Sequence, residues 1–284
     1  MLKYIQQVHK KTANSEDVNR LVVLITAGGT TEKIDDVRAI SNNSTGRLGT
    51  AIAEAFLNCK SISIEKIYYV CGQSAVVPSS DKVSIIRIES VAQLASMLEE
   101  ILTSHIVDIV VHSMAVSDYG VDCVTTKASI CKSIGSYILE NPEKIAALSP
   151  KDLATNITNY VFNNSAINNE NKLSSDIKDL IISLKKTPKI IGMIKKFQPE
   201  TTLVGFKLLS NVAEEELIDI GYSLLERNNC EMVLANDMSR INNDSHTGHL
   251  IFKDKSYLTY ETKAQIAAAI VAHSIEITLG KGRV

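Results

Sequence analysis

Short, wholly apolar runs alternate along this chain with stretches in which apolar residues recur every three or four positions. The first run, Leu21 to Thr26, is rich in Val and Ile and leads into a glycine turn, which predicts a buried strand. In GRLGTAIAEAFLNC, beginning at Gly46, the residues Leu48, Ile52, Ala55 and Phe56 share one helical face, with Ser44 or Thr45 as the expected cap. Strands are predicted at Lys66 to Val70, Val83 to Ile88 and Ile106 to His112, with an amphipathic helix at Val91 to Ser104. The rhythm breaks after Asp122. Residues 123–171 hold one helical piece, NPEKIAALSP, and an Asn-rich run, and read as a partly mobile surface excursion. Alternation resumes with strand Asp176 to Leu184, helix Pro188 to Phe197, strand Thr202 to Leu208, helix Ala213 to Asn228 and strand Met232 to Ala235. A hairpin, HLIFKDKSYLTY, and an Ala-rich helix from Thr262 to about Leu279 close the pattern. It predicts an α/β, Rossmann-like fold: a doubly wound, mainly parallel sheet with a β-hairpin near the C-terminus, in a single domain over residues 21–284. Residues 1–20 read as a polar N-terminal arm.

Composition narrows the partners. With 45% apolar and 22% charged residues and no Trp, the chain suits an ordinary globular core. Its 30 basic and 32 acidic residues leave a net charge of -2, so bulk electrostatics predicts no nucleic acid and no membrane as partner. The 5 cysteines are widely spaced with no C-x-x-C pair, which argues for reduced thiols over a disulfide framework or a thiolate zinc site. No signal-like apolar stretch opens the sequence and no run approaches the ~18 apolar residues of a membrane span, so a cytoplasmic location is expected.

Between the first strand and the first helix, TAGGTTEKIDDVRAISNNSTGRLG (Thr26 to Gly49) collects glycines, three acids, two arginines and two asparagines. Such a loop lies beyond the carboxyl end of its strand, where parallel sheets bind ligands. Gly28 and Gly29 would let backbone N–H groups approach a phosphate or carboxylate, and the helix beginning near Gly46 adds a second anion site. A dinucleotide fingerprint does not fit. GGTTEK lacks the G-x-G-x-x-G spacing, the second strand ends in YYVCGQS with no acid for a ribose, and none of the nine tyrosines has Lys at i+4.

The stretch ITAGGTTEKIDDVRAISNNSTGRLG resembles the signature of the phosphopantothenate-cysteine ligase family of coenzyme A biosynthesis. HSMAVSDYGV, KLSS, LKKTPKII, LVGFKLL and EMVLAND resemble further family segments in the same order, so the resemblance extends over nearly the whole chain from residue 21. It implies a two-step ligation. The carboxylate of 4'-phosphopantothenate attacks the α-phosphate of a nucleoside triphosphate, CTP favoured and ATP as the alternative, and the amine of L-cysteine then displaces the nucleoside monophosphate. Mg²⁺ would accompany the triphosphate, and a homodimer is implied. This chemistry needs anion cradles, which suits a sequence without a Ser-His-Asp or Cys-His arrangement.

The resemblance also assigns roles. Asn42 matches the family asparagine that acts on the acyl-nucleotide intermediate, and Lys172 matches the first lysine of a mobile loop that closes over the triphosphate. Arg38 either clamps a phosphate or carboxylate or pairs with Asp35 or Asp36. Gly28, Gly29, Thr30, Ser44, Thr45, Gly46, Ala115, Asp118, Pro188, Ile190 and Ile191 are expected to line the substrate and nucleotide sites. Phe206 either touches the base or is a core residue. No metal ligands are assigned.

Two departures matter. CTP-using bacterial relatives carry two lysines where this chain has Leu224 and Asn228, which leaves the nucleotide open. The flavin-dependent decarboxylase domain fused to many bacterial ligases has no counterpart here, so neither flavin nor decarboxylation is expected. His246 and His249 form H-x-x-H without a third ligand, and Glu214, Glu215 and Glu216 favour a helix N-terminus, so neither group is given a function. The rival to the ligase is a non-catalytic nucleotide- or pantothenate-binding regulator on the same fold.

Overall fold

The computed structural model describes residues 20–167, 173–174, 176–241 and 246–282; apart from Arg20, the expected N-terminal arm lies outside them. The chain forms two compact units. The first takes in Met1–Thr30, Asn42–Val116 and Lys189–Val284, the second Thr31–Ser41 and Ser117–Pro188.

In the first unit, strands β1 (Arg20–Ala27), β4 (Ser63–Gly72), β5 (Val83–Ile88), β6 (Ile109–His112), β9 (Thr202–Leu209), β10 (Met232–Asp237), β11 (Gly248–Phe252) and β12 (Tyr257–Tyr260) build one sheet. Its order is β12-β11-β10-β9-β6-β1-β4-β5. The six strands from β5 to β10 are parallel, and β11 and β12 add an antiparallel hairpin. Successive residues of β1 pack on opposite faces. Val23 and Ile25 join a cluster with Ile52 and Phe56 of α1 (Arg47–Leu57) and Ile266 and Ile270 of α8 (Lys263–Gly280). Leu24 joins a second cluster with Leu94 and Leu98 of α2 (Val91–Ser104), Ile194 of α6 (Ile191–Phe197) and Leu225 of α7 (Glu214–Asn228). Helices on both faces explain why β1 reads as a continuous apolar run without alternation.

At the amino end of β10, the buried carboxylate of Glu231 gathers Lys195 at 3.0 Å, Lys281 at 2.8 Å and Lys253 at 3.5 Å, and accepts the Leu203 amide at 2.7 Å. These contacts tie α6, α8 and the β11–β12 turn to the sheet, away from its carboxyl edge.

The second unit pairs β2 (Thr31–Lys33) with β3 (Ala39–Ser41) and β7 (Tyr119–Thr126) with β8 (Leu180–Lys186), both antiparallel. It adds α3 (Lys127–Glu140), α4 (Pro142–Ala147) and α5 (Pro150–Asn164). Thr126 caps α3 by accepting the Ser129 amide, and Ser149 caps α5 by accepting Asp152, with Pro150 in the first turn. Tyr137 and Tyr160 meet edge to face at 5.3 Å between α3 and α5.

The parallel sheet, the hairpin and the last helix stand where the pattern predicts them. Four details differ. The strand expected over Asp176 to Leu184 is β8, which pairs with β7 in the second unit and is not part of the main sheet. Residues 123–171, read as an excursion with one helical piece, contain the end of β7 and three helices through Asn164. Their apolar faces are narrow, with Ser133, Tyr137 and Val161 the buried positions, so periodicity alone understates them. Ile106 is 75% exposed, and the strand starts at Ile109. Finally, α1 is capped neither by Ser44 nor by Thr45 but by Gly46 at φ 72°, with no side-chain cap. Among the described residues no helix is long and apolar enough to cross a membrane.

Candidate active site

The sheet reverses its winding at β1. The chain moves outward from β1 to β4 and β5, then returns to place β6 on the other side of β1. Sheets of this class bind ligands at such a reversal, beyond the carboxyl ends of the strands. The backbone ladder continues into the loops after β1 and β6. Ser113 donates its N–H and Oγ to the Thr26 carbonyl at 3.1 and 2.7 Å, Ala115 N donates to Gly28 O at 2.8 Å, and Thr30 N to Ala115 O at 3.1 Å. Asn42 is drawn in by its own N–H, 3.2 Å from Thr30 O, and its Nδ2 donates to Ala115 O at 3.1 Å. Gly28, Gly29, Thr30, Asn42 and Ala115 thus form one hydrogen-bonded group. A Cβ on Gly29 would collide with the Asn42 carbonyl, so this closeness depends on glycine.

The other wall is the turn after β4. Gly72 packs on the Gly29 backbone, and the Ala75 Cβ lies 2.7 Å from where a Cβ on Gly28, at φ +79°, would stand. Val76 N donates to Thr45 O at 3.0 Å, and Val76 O accepts Thr50 Oγ1 at 2.9 Å and Tyr69 Oη at 3.2 Å. Burial pushes the Tyr69 hydroxyl up to about 12, so it remains a neutral donor. Because Gly46 supplies no capping side chain, the first-turn amides of α1 remain available to an anion.

At the ends of β1 and β6, Thr26 Oγ1 lies 2.8 Å from His112 Nδ1 and accepts the Met114 amide at 3.3 Å. Burial pulls His112 down to about 4, so the imidazole is neutral near pH 7. The pattern reading treated His112 only as a strand end. A histidine closing the otherwise apolar strand IVVH, level with Thr26 on β1, is the signal that marks it.

The remaining expected site residues separate. Ile190 is buried in the α2-side cluster with Ile191 against it, whereas Phe206 packs on the α1 and α8 cluster, as a core residue does. In the second unit, Arg38 takes the ion-pair alternative: its Nε and Nη2 donate to Asp35 Oδ2 at 2.9 and 2.6 Å. Asp35 also accepts the amides of Val37, Arg38 and Leu173, while Arg38 Nη2 donates to the Leu173 carbonyl at 2.8 Å. The Arg38 guanidinium, with these amides, holds the Asp35 carboxyl well below the usual carboxylate range against the opposing effect of burial. Asp118 is exposed on the segment entering β7, its carbonyl accepting Thr187 N at 3.1 Å, and Pro188 follows β8. Lys172 lies outside the described residues. Among the described residues no group of three His, Cys, Asp or Glu stands close enough to hold a metal ion. His249 instead bonds Thr259 Oγ1 at 2.9 Å and sits 4.0 Å from Glu214.

A doubly wound sheet with a glycine turn at its winding reversal defines an α/β protein of the ligand-binding, Rossmann-like class. Within that class, the family model for the DNA/pantothenate metabolism flavoprotein C-terminal domain matches residues 18–158 and 154–277, and the chain belongs to that family. The coenzyme A biosynthesis bifunctional protein CoaBC of Thermococcus kodakarensis is 28% identical over 93% of this chain and 52% of its own length. The chain thus spans about half the length of the curated relatives it matches. The crystal structure of the DNA/pantothenate metabolism flavoprotein from Streptococcus pneumoniae is 31% identical, with a TM-score of 0.71 over 90% of this chain and 98% of that one. A Cab2 mutant in complex with phosphopantothenate-cysteine, 14% identical, shares the fold at a TM-score of 0.62 over 99% and 91% of the two chains.

Proposed function

We propose that the protein is a phosphopantothenate-cysteine ligase. One observation carries the reading: the exposed Asn42 amide is aimed by Ala115 at the winding reversal, within a hydrogen-bonded group that includes the glycine turn. Family membership and the CoaBC relatives support it, as does the binding of phosphopantothenate-cysteine by Cab2 on the same fold.

In the first step the carboxylate of 4'-phosphopantothenate attacks the α-phosphate of a nucleoside triphosphate and pyrophosphate leaves. In the second, the cysteine amine attacks the acyl carbon, the nucleoside monophosphate leaves, and the amide forms. The amides of Gly28 and Gly29 and the Ser44–Thr45–Gly46 turn, with the first turn of α1, cradle phosphate oxygens, while the Thr30 N–H stays on the Ala115 carbonyl. Nδ2 of Asn42 carries two hydrogens; one is held by Ala115, and the other donates to the acyl oxygen as charge develops there. The family resemblance alone adds Lys172 and Asp118 as proposed polar contacts, whereas Arg38 is committed to Asp35, and Ile190 and Phe206 to the core. Bound Mg²⁺ would offset the charge of the triphosphate, and among the described residues no carboxylate and imidazole cluster stands ready to hold it. The protein acts as a homodimer, as the family resemblance implies, and sedimentation tests this.

The deciding assay is pyrophosphate release with 4'-phosphopantothenate, Mg²⁺ and either CTP or ATP, followed by amide formation on adding cysteine. Release with one nucleotide identifies the donor. Nucleotide binding with no release from either would favour the non-catalytic regulator instead.

A further inference from the structure

Arg87 stands on β5 opposite Cys71 of β4, an exposed guanidinium at the carboxyl edge of the sheet. Its Nη1 donates to three backbone carbonyls of the turn after β4: Gly72 at 2.7 Å, Gln73 at 3.0 Å and Ala75 at 2.8 Å. Three carbonyl oxygens converging on one point repel one another unless a cation sits among them. That turn is also the wall of the glycine cradle. Gly72 lies on Gly29, Ala75 fills the space beside Gly28 and Gly46, and Val76 bonds Thr45 and Tyr69.

We propose that Arg87 is a positioning residue for the nucleotide: by gathering the carbonyls of residues 72–75 it holds the wall that shapes the Gly28–Gly29 and Gly46 turns for phosphate. The guanidinium acts in two ways. Geometrically, it keeps Ala75 and Val76 pressed against the two glycine turns. Electrostatically, it offsets three carbonyl dipoles that would otherwise present negative charge close to an anion site. None of the sequence motifs includes it, because Arg87 lies in a strand 38 residues after Gly49, the last glycine of the loop motif, and reaches the cradle only through the β4–β5 pairing.

The inference rests on the ligase reading for its kinetic test, and a second readout is independent of turnover. In the free protein, the amides of Ala75 and Val76 are bonded to Gly72 O and Thr45 O. Arg87→Met is expected to speed their hydrogen exchange about tenfold or more, the worth of one lost charge-assisted bond. In the pyrophosphate assay, the same variant is expected to raise KM for the nucleotide about tenfold while KM for cysteine stays within about twofold. Millimolar guanidinium is expected to recover part of that loss, and Arg87→Lys, which keeps the charge without the planar fork, to fall between. A purely structural defect would lower all parameters together and would not respond to guanidinium. Unchanged exchange at Ala75 and Val76 in both variants overturns the proposal, as does a wild-type nucleotide KM in Arg87→Met. If the parent protein releases no pyrophosphate with either nucleotide, the ligase reading falls and exchange alone decides the role of Arg87.

Discussion

The side chain of Asn42 is aimed by a backbone carbonyl: its Nδ2 donates to Ala115 O at 3.1 Å, and Ala115 is itself pinned by its N–H to Gly28 O at 2.8 Å. A residue in a loop after β1 is thereby oriented by the continuation of β6, and the two strand ends act as one frame.

Replacing Asn42 tests what that frame serves. Asn42→Ala is expected to leave thermal stability near wild type and to reduce amide formation by ~2.7 to 4 kcal/mol of transition-state stabilisation, the usual loss for one preorganised donor. Asn42→Asp sets a carboxylate against the Ala115 carbonyl and should do no better. Single-turnover measurement of pyrophosphate and of amide separates the steps; an Asn42→Ala enzyme forming amide at the parental rate would remove Asn42 from the mechanism.

The glycine turn can be probed by one methyl group. Gly29→Ala drives a Cβ into the Asn42 carbonyl and is expected to cost ~1 to 3 kcal/mol in urea unfolding, with loss of nucleotide binding. Gly135→Ala, inside α3 with nothing within 4 Å, is the control and is expected to stabilise by ~1 kcal/mol through helix propensity. Equal stabilities for the two variants would contradict the packing described for the turn.

Asp35 anchors Leu173, the residue after Lys172, by accepting its amide at 3.0 Å. Asp35→Asn weakens the pairing with Arg38 as well, so the Leu173 amide should exchange faster in the free protein. Because the folded-state Asp35 carboxyl is held below its ordinary value, its stabilisation is complete above the ordinary carboxylate range and is lost as pH falls below it. Leu173 protection that is flat from pH 7 to 5 and then declines would bear this out; a decline that begins at pH 6 would not.

His112 should make stability depend on pH in a different window. Its folded value of about 4 lies below the unfolded value near 6.5, so the native state binds fewer protons between them. The contribution is full above about pH 6.5 and declines as pH falls toward 4, by about 3 kcal/mol at most. His112→Gln can still meet Thr26 Oγ1 but does not titrate. Its unfolding free energy should therefore lose most of the slope that the parent shows between pH 6.5 and 4.5, and a slope equal to the parent's would exclude His112 as its source.

Much of this architecture is legible in the chain because it rests on local periodicity. The run Leu21 to Thr26 and the helical face of Leu48, Ile52 and Phe56 follow from apolar spacing, and the glycines at 28, 29 and 46 mark where backbone must come close to something. The loop from Thr26 to Gly49 stands out for a different reason, as too many polar residues for a simple connection. What spacing cannot show is which segments share a unit. Residues 31–41 sit inside that loop in sequence yet fold with residues 117–188, and β8, which reads like another sheet strand, pairs with β7.

The sequence by itself determined the parallel sheet and the place of the glycine turn, because these follow from local apolar spacing and from where backbone must come close; Asn42 was marked only by the family resemblance. Only the tertiary structure decided that Arg38 is spent on Asp35, that Ala115 aims Asn42, that His112 is buried against Thr26 and that Arg87 holds the turn beside the glycines. Three of these four contacts join residues 15 to 86 positions apart: 42 to 115, 26 to 112 and 72 to 87. Their partners are chosen by strand order and register, which no local pattern of apolar and polar positions encodes.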